Sequence, residues 1–120
     1  MSLSGEVGRK AEQAAARYLQ GLGCRVLERG WRMPLGEIDL IVEDAQTLVF
    51  VEVKARSSRG LGPAEAAVDA RKQRRLARAA LAYVQARGIE NRPMRFDVIA
   101  FQAGDVRHFK DAFTVEGYTR

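Results

Sequence analysis

Three charged residues interrupt two otherwise apolar segments, GEIDLIVE (36–43) and LVFVEVKAR (48–56). Asp39 lies in the first segment, and Glu52 and Lys54 lie in the second. Carboxylate oxygens are the ligands that Mg²⁺ prefers in proteins, and a lysine close to such an ion can reach an anion or a water bound there. These residue types indicate a site for a divalent cation and an anionic ligand, provided that the surrounding elements bring them together.

The two segments are predicted to form a hairpin with its turn near DAQT (44–47). A two-residue turn and a four-residue turn give the same pairing, with Asp39 opposite Glu52 and Glu37 opposite Lys54. Directly opposed side chains have Cβ atoms about 4.5–5.5 Å apart, and like charges there are destabilising. Two facing carboxylates therefore need a cation between them or a shared proton, and Mg²⁺ or Mn²⁺ is the predicted cation. The alternative is a set of solvated surface ion pairs.

The second segment of the hairpin is predicted to be a central strand. Alternation places only apolar side chains on one face, those of Val49, Val51, Val53 and Ala55. The other face begins with Leu48 and Phe50 and ends with Glu52, Lys54 and Arg56. A strand that is apolar on one whole face and half of the other is typical of the middle of a sheet. Charges confined to one end of one face indicate a cleft at the edge of the core.

The remaining elements follow from helical and strand periodicity. A helix is predicted from Ser4 to about Leu22, followed by the strand CRVLERGW, and a second helix runs from about Pro63 to Arg87 with Asp69 as a candidate N-cap inside it. RFDVIAF forms a further strand and VRHFKDAF an edge strand. The order αβββαββ predicts one α/β domain over residues 1–120, with a mixed sheet flanked by helices. The second helix acts as a crossover, which allows the third and fourth strands to run parallel.

Composition narrows the class of partner and the compartment. A net charge of +5 favours a polyanionic partner, nucleic acid before an anionic membrane surface. Cys24 is the single cysteine, so no disulfide can form within the chain. The N-terminal residues have no signal-peptide pattern, and no apolar run is long enough to span a membrane. We expect a cytoplasmic protein.

Basic residues follow the hairpin. The candidate nucleic-acid-binding residues are Arg56, Arg71, Lys72, Arg74, Arg75 and Arg78. The four helical arginines lie on the side away from the apolar stripe, where they would track a phosphate backbone or, alternatively, form a solvated face. Lys72 instead falls in line with Leu76 and Ala79, so it is predicted to point inward at the helix N-terminus and to bind substrate phosphate.

Three further residues have an interpretation that favours structure over chemistry. Trp31 could stack on a base but is interpreted as a core residue. Asp97 could support the site from the neighbouring strand but is interpreted as a hydrogen-bonded structural residue. His108 lies in the weak last strand and is assigned no chemistry.

These segments, together with GRKAEQAAARYLQGLGCRVLERGWR and GPAEAAVDARKQRRLARAALAYV, resemble the YraN-like uncharacterised protein family over nearly the whole chain. Asp39, Glu52 and Lys54 also match the signature of the PD-(D/E)xK, restriction-endonuclease-like superfamily, which has an acid on its second strand and an acid-x-Lys on its third. The family is similar to archaeal Holliday-junction resolvases. One departure is Gly30, where relatives usually carry asparagine.

The resemblance implies a Mg²⁺- or Mn²⁺-dependent endonuclease, with DNA favoured over RNA and branched recombination or repair intermediates as candidate substrates. It implies that Asp39 and Glu52 bind the metal and that Lys54 is catalytic. Glu12 matches a first-helix glutamate of the resolvases, so it would be an accessory ligand or base, the alternative being a solvated helix charge. Resolvase relatives act as dimers, which favours a homodimer. Two other functions stay open: a nucleic-acid-binding module without turnover, and an interaction protein whose hairpin charges are structural.

Overall fold

The computed structural model describes residues 5–34, 36–56, 68–102 and 104–115. The predicted order αβββαββ is confirmed. The elements are α1 (Gly5–Gly21), β1 (Arg25–Met33), β2 (Gly36–Asp44), β3 (Thr47–Arg56), α2 (Ala70–Arg87), β4 (Met94–Gln102) and β5 (Asp105–Phe113). The predicted N-cap at Ser4, the loop SSRGLGP and the helical start at Pro63 lie outside the described residues. Neither described helix is long and apolar enough to cross a membrane.

The five strands form one mixed sheet in the order β1-β2-β3-β4-β5. Neighbouring strands are antiparallel except for β3 and β4, which run parallel because α2 connects them as a crossover. The sequence predicted the central place of β3, its parallel pairing with β4 and the edge position of the last strand. All three predictions are confirmed.

Alternation along β3 divides the core into two layers. Val49, Val51 and Val53 pack on the face covered by α1, together with Ala15 and Leu19. The opposite side chains of β3 pack on the face covered by α2, where Leu48 and Phe50 meet Leu76, Ala80 and Tyr83. Each buried aliphatic or aromatic side chain contributes about 1.5–3 kcal/mol, so β3 is fixed from both faces.

Capping defines both ends of α2. The Asp69 carboxylate accepts a hydrogen bond of 2.9 Å from the backbone N–H of Lys72, which satisfies a donor that the first turn leaves free. At the other end Gly88 takes the left-handed conformation with φ of 66°, which ends the helix without the cost that a side chain would add. The predicted N-cap and terminator are both confirmed, and the cap fixes Lys72 in the first turn.

Candidate functional site

The β2–β3 hairpin stops pairing just before the first candidate site residue. Its turn is the two-residue alternative, Ala45-Gln46, and the ladder runs from Asp44↔Thr47 to Leu40↔Val51. The predicted opposition of Asp39 and Glu52 lies one step beyond that last pair. There the Asp39 carboxylate accepts a hydrogen bond of 2.8 Å from the backbone N–H of Val53. The Asp39 side chain of β2 therefore extends toward β3 and bonds a backbone N–H group of that strand.

The alternation of side chains along β2 is irregular at this point. Strict alternation would place Ile38 on the same face as Leu40, which packs on the α1 side. Instead Ile38 packs with Ile41 in the cluster on the α2 side. Both residues are fully buried. The alternation of side chains is therefore interrupted between Ile38 and Leu40, and Asp39 lies at the interruption.

The carboxylate of Asp39 meets two others. One oxygen each from Glu12, Glu37 and Asp39 lies within 4.8 Å of the other two. We call these three residues the acidic cluster. Glu12 comes from α1, and its carboxylate lies next to those of the sheet, which favours the first of its two alternatives. Its role as an accessory ligand or base stays a prediction. Glu37 comes from β2, two residues before Asp39.

Gly30 lies on β1 beside the acidic cluster. The β1–β2 register pairs Arg29 with Leu40 and Trp31 with Ile38, which places Gly30 level with Asp39. A Cβ atom on Gly30 would lie 3.9 Å from Glu12 Oε1, and φ is +59°. Glycine and asparagine are the residues that most readily adopt this left-handed conformation. The exchange of one for the other therefore preserves the local backbone.

Two members of the acidic cluster, Asp39 and Glu12, have raised pKa values. Burial raises the pKa of Asp39 to about 8, and the charge of Glu52 adds to the rise, against the hydrogen bond from Val53. Burial also raises the pKa of Glu12, followed by the charge of Glu37. These acids are held where their negative charges oppose one another, which is the condition for binding either a cation or a proton.

Glu52 lies in a different setting, against two lysines. Its side chain is only 6% exposed, and its Oε2 atom lies 2.7 Å from Lys72 Nζ and 3.2 Å from Lys54 Nζ. Burial alone would lower the pKa of Lys72, but the hydrogen bond and charge of Glu52 outweigh it and raise the pKa. We call Glu52, Lys54 and Lys72 the lysine cluster. The prediction that Lys72 points inward is confirmed.

Sequence reasoning missed Glu37 as a member of the site, because it treated that residue only as the partner of Lys54. The available signal was its spacing of two from Asp39, which places both side chains on one side of a regular strand. In the structure Glu37 has a long ion pair of 3.9 Å with the exposed Arg32. A carboxylate oxygen of Glu37 also lies within 4.8 Å of those of Glu12 and Asp39.

The helical arginines are exposed, as predicted. Arg71, Arg74, Arg75 and Arg78 all lie on the solvent side of α2. The Arg75 stem passes over the start of β2, since a Cβ atom on Gly36 would lie 3.4 Å from Arg75 Cγ. The basic surface of α2 therefore begins next to the strand that carries Glu37 and Asp39. The Arg56 side chain lies outside the described residues.

The other singled-out residues have structural roles. Trp31 packs edge-to-face on Tyr83 with ring centroids 5.3 Å apart, which confirms it as a core residue. Asp97 is fully buried and accepts hydrogen bonds from Arg95, His108 and the backbone N–H of Asp111. Its interpretation as a hydrogen-bonded structural residue is therefore confirmed.

Comparison with known proteins gives one consistent family. Residues 11–101 match the sequence profile of "Uncharacterised protein family UPF0102". A UPF0102 protein of Symbiobacterium thermophilum is 49% identical over 102 residues, covering 85% of this chain and 86% of its own. One from Stutzerimonas stutzeri is 43% identical over 118 residues, covering 94% and 98%. One from Persephonella marina is 38% identical over 109 residues, covering 91% and 94%. The matched region contains every residue of the acidic and lysine clusters.

Proposed function

The chain belongs to the uncharacterised, YraN-like protein family UPF0102, whose name states no activity, and from the geometry of its site we propose that it is a metal-dependent endonuclease acting on DNA. One observation carries the proposal: three carboxylates converge beside a buried glutamate that holds two lysines. A fold needs no such convergence for stability, since facing acids cost free energy. Groups held against their electrostatic preference are characteristic of functional sites.

The donor set fits a hard divalent cation. Glu12, Glu37 and Asp39 offer only carboxylate oxygens, the ligand type of Mg²⁺ and Mn²⁺ rather than of softer metals. Asp39 would hold the ion together with Glu52, and Glu12 and Glu37 would be accessory ligands. When bound, the metal would supply Lewis-acid stabilisation of a phosphodiester and a more acidic water.

The remaining chemistry belongs to the side chains around the ion. Lys54 would orient the attacking water and stabilise negative charge that develops on the phosphate, because its ammonium group is held at the buried end of β3. Glu12, with a raised pKa, is suited to accept or return a proton. Lys72 would contact a substrate phosphate at the start of α2.

The substrate class follows from the charge around the site. The exposed arginines of α2 would contact the phosphate backbone, giving affinity and salt dependence without sequence specificity. Arg75 links this surface to the start of β2. Branched recombination or repair intermediates are the DNA structures that the resemblance to resolvases favours, and those relatives also favour a homodimer.

The lysine cluster supports a second candidate, a nucleic-acid-binding module without turnover. Lys54 and Lys72 already balance the charge of Glu52 in the absence of a cation. In that case the basic surface would bind nucleic acid, and Asp39, with its pKa of about 8, would hold a proton at neutral pH. The two candidates differ in whether Mn²⁺ or Mg²⁺ produces cleavage.

A cleavage assay separates them. Labelled four-way junction, flap, duplex and single-stranded DNA would be incubated with Mg²⁺ or Mn²⁺ and either the wild-type protein or the Glu52→Gln variant. We expect the variant to cleave at least about 100-fold more slowly, because a carboxylate that would hold the metal ion is lost. Glu90→Gln is the matched control, since Glu90 is an exposed glutamate outside both clusters, and it should cleave at the wild-type rate.

The same assay includes the outcomes that oppose the proposal. DNA binding without cleavage by any of the three proteins would support the binding module. Cleavage that survives Glu52→Gln at the wild-type rate would point to a contaminating nuclease or to a different site. The preferred DNA structure would follow from the ranking of the wild-type rates.

A further inference from the structure

We propose that Lys72 is a positioning residue that serves as an internal cation for Glu52, holding the carboxylate until a divalent metal displaces the lysine. This inference rests on the proposed function and describes how that site changes between its metal-free and metal-bound states. Lys72 and the metal would compete for one carboxylate, so the metal affinity of the protein would be set partly by a residue that is not a ligand.

The contact between Lys72 and Glu52 is the shortest ion pair of the lysine cluster. Both ammonium groups lie on the same carboxylate oxygen, Oε2, with Lys72 Nζ at 2.7 Å and Lys54 Nζ at 3.2 Å. The Glu52 side chain is 6% exposed. A carboxylate withdrawn from water to this degree needs a positive partner to stay charged. Lys72 supplies that partner from a different element.

A metal bound to Glu52 would supply the positive charge that Lys72 otherwise supplies. Mg²⁺ lies about 2.0–2.1 Å from its ligand oxygens. An ammonium group that stayed on the same carboxylate would then lie within about 5 Å of a dication, where like charges repel strongly in a partly buried site. Lys72 must therefore move away when the metal binds. If it stays, it lowers the affinity of the site for the metal.

The Lys72 side chain can move into solvent more readily than the Lys54 side chain. The Lys72 side chain is 36% exposed against 24% for Lys54. Its backbone is anchored, because the N–H group is bonded to Asp69. A long side chain on a fixed backbone at the solvent edge can swing away without disturbing α2. Its ammonium group would then lie among the exposed arginines of the same helix, where a DNA phosphate would meet it.

The test measures metal binding directly, without DNA or cleavage. Mn²⁺ would be titrated into the wild type and the Lys72→Met variant by isothermal titration calorimetry at pH 7.5. We expect Lys72→Met to bind Mn²⁺ at least about 10-fold more tightly, since the competing charge is gone. Lys72→Gln should show the same direction if the methionine variant is poorly folded, which circular dichroism would report. Lys72→Arg, which keeps the charge, should stay within about 3-fold of the wild type.

The control is Lys110→Met, an exposed lysine on β5 with the same change in net charge. It should change Mn²⁺ affinity less than about 2-fold, which shows that the effect of Lys72 is local. Equal or weaker Mn²⁺ binding by folded Lys72→Met and Lys72→Gln, with normal binding by the wild type, would overturn the inference and leave the proposed function standing. Absence of Mn²⁺ binding from every one of these proteins would overturn both.

Discussion

Two acids on β2 and β4, the strands on either side of β3, have opposite surroundings. Asp97 on β4 is fully buried, and within the part of the chain that the structure describes its bonding partners are all donors: Arg95 Nε at 2.9 Å, His108 Nε2 at 2.7 Å and the backbone N–H of Asp111 at 2.9 Å. Asp39 on β2 receives one backbone N–H and otherwise faces Glu12, Glu37 and Glu52. Both carboxylates are withdrawn from water, but only the first has its charge balanced by its neighbours.

The difference separates an acid that stabilises the fold from one held for chemistry. The donors around Asp97 tie β5 to β4 at the irregular register between Phe96 and Val98, and Asp111 takes a left-handed φ of 51° to reach it. The neighbours of Asp39 add negative charge instead, which no fold requires. A buried acid surrounded by donors indicates architecture, whereas one surrounded by acids indicates a missing cation or proton.

The largest expected effect comes from removing the satisfied acid. Asp97→Ala should lower the free energy of unfolding by about 3–5 kcal/mol, because it leaves three donors without their acceptor, namely Arg95 Nε, His108 Nε2 and the backbone N–H of Asp111. Urea denaturation followed by circular dichroism measures this change. The control Asp105→Ala removes an exposed acid of β5 and should stay within about 0.5 kcal/mol of the wild type. A similar loss in both variants would break the comparison.

Removing the charge of Asp39 should raise the free energy of unfolding rather than lower it. The folded-state pKa of Asp39, about 8, lies above its ordinary value of 3.8. Between these values the folded protein binds more protons than the unfolded chain, so this residue lowers stability progressively as pH rises from about 4 to about 8. Asp39→Asn removes the penalty and should raise the free energy of unfolding at pH 8.5 by about 1–3 kcal/mol.

The pH series provides the check on Asp39. Urea denaturation of the wild type and Asp39→Asn at pH 5.5, 7.0 and 8.5, without divalent metal, should show a gap that widens with pH. Asp105→Asn should follow the wild type at each pH. A gap that is constant or narrows would mean that Asp39 is balanced by a partner in the same way as Asp97.

The smallest change in stability is expected at Tyr18, at the edge of the hydrogen-bond network around Asp97. The Tyr18 hydroxyl lies 3.2 Å from His108 Nδ1, on the side of the imidazole opposite Asp97. Tyr18→Phe removes this hydrogen bond but keeps the ring contact, so it should lower the free energy of unfolding by about 0.5–1.5 kcal/mol. Chemical denaturation at pH 7 measures it. A loss as large as that of Asp97→Ala would show that the hydroxyl, rather than the carboxylate, organises this site.

The sequence by itself determined the elements and much of their arrangement. Alternation along residues 48–56 predicted the two faces of β3 and its central position, both of which depend only on the period of a strand. Asp69 and Gly88 predicted the ends of α2, because capping is local backbone chemistry. Helical spacing likewise predicted that Lys72 points inward. These features depend on residues a few positions apart in the chain.

Only the tertiary structure decided which charges meet. Hairpin register predicted that Asp39 would face Glu52, and the charge of Glu52 does act on Asp39. Register did not predict that the Asp39 carboxylate accepts the Val53 N–H, or that Glu12 and Glu37 join it. Nor did it predict that Lys72 from α2 pairs with Glu52. His108, assigned no chemistry from sequence, became a partner of Asp97 across a strand pair. The reason is physical: strand period fixes the face on which a side chain lies, while its partner depends on twist, ladder ends and the packing of helices from distant parts of the chain.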